Sequence, residues 1–231
     1  MLKTESRKLC AETFGTYVLV FAGTGAIIVN DVSGGVVSHV GIAFTFGLIV
    51  LAMIYAIGDV SGCHLNPAVT LGFYVAGRFE GRHVLPYLIS QCLGAILASI
   101  TLRLMFPTQL TLGATIPAGN AIQSFFLEFI LTLILMFVIL SVSTGSKEKG
   151  ALAGVAVGSV IALEALFGGP ISGASMNPAR SLAPAIVSMK LDSLWIYLTA
   201  PFLGACCSVF VCRCVQDSHC CCPRNEKEIC S

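Results

Sequence analysis

The sequence predicts an all-α membrane protein of six transmembrane helices and two re-entrant half-helices, arranged as an inverted repeat of three spans. Three observations carry that reading. Of 231 residues, 56% are hydrophobic and 11% charged, against about 25% charged in a soluble domain. Six apolar stretches are long enough to cross a bilayer. One phrase also occurs twice, as Ser61-Gly62-Cys63-His64-Leu65-Asn66-Pro67-Ala68 and as Ser172-Gly173-Ala174-Ser175-Met176-Asn177-Pro178-Ala179. A net charge of +1 with no basic stripe excludes a nucleic-acid surface. Composition implies a lipid bilayer as partner.

In chain order, residues 1–8 form a short polar tail with Lys3, Arg7 and Lys8, expected on the cytoplasmic side. No cleavable signal is read there, because the apolar stretch that follows is too long and lacks a small-residue cleavage site. The first span, Leu9–Val29, is about 30 Å long at ~1.5 Å per residue, which covers the hydrocarbon core. The second and third spans are Val40–Ile57 and Val84–Phe106, separated by the first phrase and by Ala68–Gly77, an apolar segment too short to cross. The second half repeats this plan with spans at Ile122–Val142, Ala151–Phe167 and Leu194–Val211 and a short segment at Ala179–Met189. A channel domain is thus expected over 9–211, with one repeat at 9–106, the other at 122–211, and a Cys-rich cytoplasmic tail at 212–231.

Matched landmarks support a duplication. Glu12, Thr16 and Phe21 correspond to Glu128, Thr132 and Phe137 at an offset of 116; the phrases correspond at 111; Leu93-Gly94-Ala95 corresponds to Leu203-Gly204-Ala205 at 110. Three spans is an odd number, so the second copy enters the membrane inverted. Lys3, Arg7, Lys8, Arg78, Arg82, Lys147, Lys149, Arg213, Arg224 and Lys227 then share one side, and only Arg103 and Lys190 lie towards the other. By the positive-inside rule both termini are cytoplasmic, in a multi-pass protein of the cell membrane.

Asn-Pro-Ala is a helix start: Asn caps, and Pro suits the first helical position because its missing N–H would be orphaned there anyway. Non-helical backbone at membrane depth is tolerated only where protein buries it or a wet cavity receives it. The loops Ser61–Asn66 and Ser172–Asn177 must therefore pack inside the bundle and aim the carbonyls of Gly62, Cys63, His64, Gly173, Ala174 and Ser175 at something polar. Two half-helix N-termini, each worth roughly half a positive charge, converge on the midplane and repel cations and protons. The Asn66 and Asn177 amides offer donors to a passing oxygen.

Two Asn-Pro-Ala boxes (Asn66, Pro67, Ala68; Asn177, Pro178, Ala179) on inverted three-span halves, the second followed by Arg180, resemble the aquaporin, or major intrinsic protein, family. The resemblance runs from about Leu9 to Val211. It implies one pore per protomer, usually in a homotetramer, with an outer selectivity constriction that falls on Phe46, Ala165, Ala174 and Arg180. Strict water channels of the family usually carry His at the position of Ala165. Alanine there implies a wider, less polar opening, whereas Ser181 and Ala185 follow the water-channel pattern. Gly169 through Met176 resembles plant and bacterial members that pass glycerol or metalloid acids. The expected function is a passive channel for water and small uncharged solutes such as glycerol, excluding protons and ions. The alternatives are a glycerol, urea or metalloid-acid facilitator with low water permeability, or an ion-coupled secondary transporter, which would need a coupling-ion site.

Glu12 and Glu128 are acids within apolar spans, and their repeat symmetry points to acceptors for the re-entrant loops. Glu164 has no symmetric acid, and a polar partner behind the constriction is expected for it. Asp59 is read as a vestibule residue or a loop anchor, and His64 as a wall residue bonded to backbone. Cys63 precedes Asn66 as Ala174 precedes Asn177, so its thiol is expected beside the pore as a mercurial site. Gly154 with Gly158, Gly94 with Ala98, and Gly204 with Ser208 allow close helix approach. Eight of the eleven cysteines (206, 207, 212, 214, 220, 221, 222 and 230) cluster at the C-terminal end; S-acylation beside Arg213 is the expectation, with a zinc site including His219 the weaker one. No catalytic constellation, cofactor motif or metal motif is present in the sequence, so neither an enzyme nor a cofactor is expected.

Overall fold

The computed structural model describes residues 2–143 and 152–216. Eight helices lie within the described residues. Repeat 1 holds α1 (Leu2–Val32), α2 (Ser38–Ser61), the half-helix α3 (Pro67–Val75) and α4 (Gly81–Met105). Repeat 2 holds α5 (Ala121–Val142), α6 (Ala153–Ser172), the half-helix α7 (Pro178–Ser188) and α8 (Leu194–Val215). Six of them are long and apolar enough to span a bilayer. With six spans the ends of α1 and α8 share one face, called the terminal side below; the opposite face is the far side.

Several boundaries differ from the sequence expectation. Residues 2–8 are helical and continuous with α1. The first residues of the expected C-terminal tail, 212–215, complete α8. Cys220, Cys221, Cys222, Cys230 and His219, like Lys147 and Lys149, lie outside the described residues. In α6 the helix continues past Phe167 through Pro170 to Ser172. Proline at 170 removes the N–H that would bond the Leu166 carbonyl four residues back. His39, near the start of α2, fills that vacancy, its Nε2 lying 2.8 Å from Leu166 O. Both α2 and α6 end on a left-handed glycine, Gly62 and Gly173 with φ of 87° each, a backbone region that glycine enters without the Cβ penalty. Ser61 and Ser172 are thus the last helical residues, and the loops begin one position later than expected.

Packing follows the duplication. Within each repeat the first and last spans pair, α1 with α4 and α5 with α8, while α2 crosses α6 between the repeats. Each half-helix reaches across, α3 packing on α8 and α7 on α4. All three crossings turn on glycine. A Cβ at Gly94 would collide with the Thr13 carbonyl, and one at Gly204 with the Phe129 carbonyl; Gly47 and Gly158 face each other's carbonyls directly. Such contacts let backbones approach where lipid provides no hydrophobic drive between helices. Gly154 instead faces the Tyr55 ring.

Candidate functional site

Both half-helices begin as the repeated box predicts. Asn66 Oδ1 accepts from Ala68 N at 2.8 Å, and Asn177 Oδ1 accepts from Ala179 N at 3.0 Å and Arg180 N at 3.2 Å, with Pro67 and Pro178 at the first helical position. The amide nitrogens lock the two repeats together: Asn66 Nδ2 donates to Met176 O at 2.8 Å, and Asn177 Nδ2 to Leu65 O at 2.9 Å. Each NH2 group carries two hydrogens, so one on each asparagine remains for a ligand.

The loops are held from behind by the two buried acids. Glu12 accepts from Ser61 Oγ at 2.7 Å, His64 N at 3.0 Å, Leu65 N at 2.8 Å and Gln91 Nε2 at 2.8 Å. Glu128 accepts from Ser172 Oγ at 2.7 Å, Ser175 N at 2.9 Å and Met176 N at 2.8 Å. These grips fix an uncommon backbone, with φ of 50° and 52° at Cys63 and Leu65 and 41° and 53° at Ala174 and Met176. Left-handed conformations cost a non-glycine residue roughly 1–2 kcal/mol each, and charge-assisted bonds offset that cost. The N–H groups of His64, Leu65, Ser175 and Met176 go to the acids and those of Cys63 and Ala174 to Ser61 Oγ and Ser172 Oγ, while the carbonyls of Gly62, Cys63, His64, Gly173, Ala174 and Ser175 accept no hydrogen bond among the described residues. They are available to a guest.

Two tyrosines complete the clamp and were missed in the sequence. Tyr87 OH donates to Ser61 O at 2.8 Å and Tyr197 OH to Ser172 O at 2.6 Å. Their spacing of 110 equals that of the Leu-Gly-Ala landmark, which was the signal for them.

Two cavities meet at the asparagines. The far-side one, about 40 Å³, is lined by all four expected constriction residues, Phe46, Ala165, Ala174 and Arg180, and by both asparagines. The terminal-side one, about 120 Å³, is lined by Gly62, Cys63 and His64 as well as both asparagines. Leu19, Val50, Leu135 and Ile161 are shared walls. At an offset of 111 the four constriction positions map onto Val157, Ile54, Cys63 and Val69, and all four line the terminal-side cavity. The two mouths are therefore symmetric in origin, but at these four positions only the far one carries an arginine and a phenylalanine.

Arg180 is buried; its Nη1 donates to Gly113 O at 2.8 Å, its guanidinium lies 5.2 Å from the Phe46 ring centroid, and its Nε has no partner among the described residues. The connection between the repeats supplies that carbonyl and also Thr115, whose hydroxyl donates to Ser181 Oγ at 2.8 Å. No motif in the sequence marked that connection. Cys63 is buried and lines the terminal-side cavity.

Three expectations change. Glu164 is 1% exposed, and neither carboxyl oxygen has a partner among the described residues; no side-chain donor stands behind Ala165. Asp59 is exposed, lines neither cavity and makes no hydrogen bond among the described residues, so it anchors no loop. The side chain of His64 bonds Thr70 Oγ1 at 3.1 Å rather than backbone. Among the described residues no cluster of His, Cys, Asp or Glu is fit for a metal.

Residues 2–212 match the family model for major intrinsic proteins. The chain is 50% identical over 200 residues to aquaporin NIP1-1 of Zea mays, covering 86% of this chain and 71% of that protein. It is 45% identical over 206 residues to nodulin-26 of Glycine max, covering 89% and 76%. Its structure superposes on the aquaglyceroporin of Plasmodium falciparum with a TM-score of 0.78 at 27% identity, covering 89% of this chain and 94% of that one. With the paired boxes, the inverted repeats and two cavities meeting at Asn66 and Asn177, the chain belongs to the major intrinsic protein family.

Proposed function

We propose that this protein is a passive channel for water and small uncharged solutes such as glycerol, and that it excludes protons and ions. The carrying observation is the pair of cavities joined at Asn66 and Asn177, with unpaired loop carbonyls on both sides. Names of relatives point the same way, being aquaporins and an aquaglyceroporin. In this reading a permeant sheds neighbouring waters and takes hydrogen bonds from the free amide hydrogen of each asparagine while donating to the carbonyls. Half-helix N-termini and Arg180 set a positive field against cations and protons. Phe46, Ala165, Ala174 and Arg180 act as the selectivity constriction, the two alanines leaving room for a carbon skeleton beside the guanidinium. The acids Glu12 and Glu128 support the loops without touching the permeant.

The wider setting of this reading is a homotetramer in the cell membrane, with both termini cytoplasmic. Arg7, Lys8, Arg78, Arg82 and Arg213 on the terminal side favour that orientation. Neither a cofactor nor a catalytic role enters the proposal.

The test is parallel stopped-flow light scattering of proteoliposomes with water, glycerol, urea and a neutral metalloid acid. Flux linear in concentration and indifferent to ion gradients is expected. Vesicles that shrink in a sugar gradient no faster than empty ones would end the proposal, and saturating, ion-coupled flux would replace it with a transporter.

A further inference from the structure

The stretch that joins the two alanines of the constriction is held from outside α6. Ala165 precedes Pro170 and Ala174 follows it, and both alanines line the far-side cavity. Proline removes the N–H that would bond the Leu166 carbonyl, and its ring crowds that same carbonyl. A helix with such a residue bends there unless something restrains it. Three carbonyls of the stretch are taken by other elements. Leu166 O is met by His39 Nε2 of α2 at 2.8 Å, Ile171 O accepts from Ala118 N at 2.9 Å in the connection between the repeats, and Ser172 O accepts from Tyr197 OH of α8 at 2.6 Å.

Of these contacts, that of His39 joins two walls of the constriction. His39 and Phe46 are seven residues apart on α2, two helical turns, so one face of that helix presents both the imidazole and the aromatic wall. Leu166 is next in the chain to Ala165, a wall on α6. The ring reaches α6 because residue 169 is glycine: a Cβ there would stand 2.7 Å from His39 Cε1. A carbonyl only accepts, so Nε2 carries a hydrogen whether the ring is neutral or charged. Symmetry marks the contact as an addition to the duplicated plan. At an offset of 111, Pro170 corresponds to Asp59, which keeps its N–H, and His39 to Gly150, which has no side chain. The symmetric place lacks both the proline and the imidazole.

We propose that His39 is a positioning residue for solute selection: its bond to Leu166 O ties the Ala165 wall on α6 to the Phe46 wall on α2, and loss of the bond widens the far-side constriction. Freed of the tie, the Leu166 carbonyl turns to water, α6 bends at Pro170, and Ala165 draws back from Phe46. In a cavity of about 40 Å³ a small retreat changes which carbon skeletons fit. His39 is exposed, so water competes for the bond, and the tied position is favoured by about fivefold, the worth of one net hydrogen bond.

The inference rests on the solute-channel reading, and the test keeps the two apart. Proteoliposomes carrying the full-length protein are assayed by stopped flow with water, glycerol and the four-carbon polyol erythritol. His39→Ala removes the donor and is expected to raise the erythritol-to-water permeability ratio about fivefold, and the glycerol ratio by less. His39→Gln carries an N–H donor as many bonds from the backbone as the imidazole Nε2, and should return the ratio to that of wild type. Pro170→Ala gives the helix back its own N–H, so adding His39→Ala in that background should move the ratio no further. A purely structural role would lower the folded yield and leave the ratio of the folded fraction where it was. An unchanged ratio in folded His39→Ala, or a rise that neither glutamine nor Pro170→Ala removes, overturns the inference. If His39→Ala fails to fold, His39→Asn, whose amide stops one carbon short, carries the same comparison against His39→Gln. Wild-type vesicles that pass water but no polyol overturn the solute reading instead, and polyol admitted by His39→Ala would still report the tie.

Discussion

Replacing Glu12 by Gln probes the support of the first loop at its most connected atom pair. One carboxylate receives four donors: Ser61 Oγ and His64 N on Oε1, Leu65 N and Gln91 Nε2 on Oε2. Glutamine keeps the shape but has one acceptor oxygen and one NH2 group. With the oxygen at the Oε1 position, the NH2 faces Leu65 N–H and Gln91. Gln91 can turn its unpartnered Oε1 to meet it, at the expense of the bond to Thr70, but Leu65 N–H has no second choice. With the oxygen at the other position, His64 N–H is the orphan. Either way one buried backbone donor is stranded, at about 1–3 kcal/mol, and the surviving bonds lose their charge assistance, roughly half their strength. The sum is about 3 kcal/mol, or roughly a hundredfold in the folded-to-unfolded ratio. Denaturant unfolding in a fixed detergent, with size-exclusion of the surviving folded species, measures that loss. The glycerol-to-water permeability ratio of the folded fraction is expected to stay within twofold of wild type, because Glu12 lines neither cavity. A variant as stable as wild type, or a stable one with altered selectivity, would refute the loop-support reasoning.

Tyr87→Phe and Tyr197→Phe each strip a donor from a buried serine carbonyl and should cost about 1–3 kcal/mol, read by the same unfolding assay. Cys63→Ala should abolish the part of mercurial block that a reducing agent reverses, since the thiol lines the terminal-side cavity; block persisting in the variant would assign it to another cysteine. Glu164→Met places the residue of the symmetric position, Met53, where an unpartnered carboxyl is buried. It should raise stability by about 1 kcal/mol or more, because burying a polar group without a partner is costly. A loss of stability would mean that the carboxyl holds a partner. Gly158→Leu drives a side chain into the Gly47 carbonyl at the α2–α6 crossing; folded yield should collapse, and recovery of wild-type yield would contradict that packing.

The sequence carried the periodic part of the structure. Six spans, both half-helices and the paired grips of Glu12 and Glu128 follow from apolar length and from offsets near 110, because duplication writes each structural device twice. Harder to read were contacts made by residues distant in the chain with no repeat partner in the same role. His39 capping the Leu166 carbonyl is one; it depends on the helix continuing through Pro170, where proline alone argues for a break. Gly113 and Thr115 are others, reaching Arg180 and Ser181 from an irregular connection whose path no pattern encodes. Glu164 failed for a different reason: a buried acid ordinarily has a donor, and here none of the described residues supplies one.

Symmetry also separates what builds this pore from what tunes it. Residues that agree across the repeats, among them Glu12 with Glu128, Tyr87 with Tyr197, Gly94 with Gly204, and the paired boxes, all hold backbone in place. Chemistry resides in the mismatches. Val69 against Arg180 puts one fixed positive charge at the far mouth, which in the proposed function is a barrier to cations in addition to the symmetric field of the half-helices. Gln91 against Pro201 gives Glu12 a fourth donor that Glu128 lacks, and the same Gln91 amide reaches Thr70, which in turn orients His64. The first loop therefore has a hydrogen-bonded chain from a buried acid to Nδ1 of a histidine that lines the terminal-side cavity, and the second does not. Converting Gln91 to Leu would cut that chain while leaving the backbone grips of Glu12 intact. Its expected signature is a His64 ring that loses its single tautomer, seen as averaged ¹⁵N shifts, together with a stability loss smaller than that of Glu12→Gln. A sharp, unshifted His64 signal in Gln91→Leu would show that Thr70 alone orients the ring.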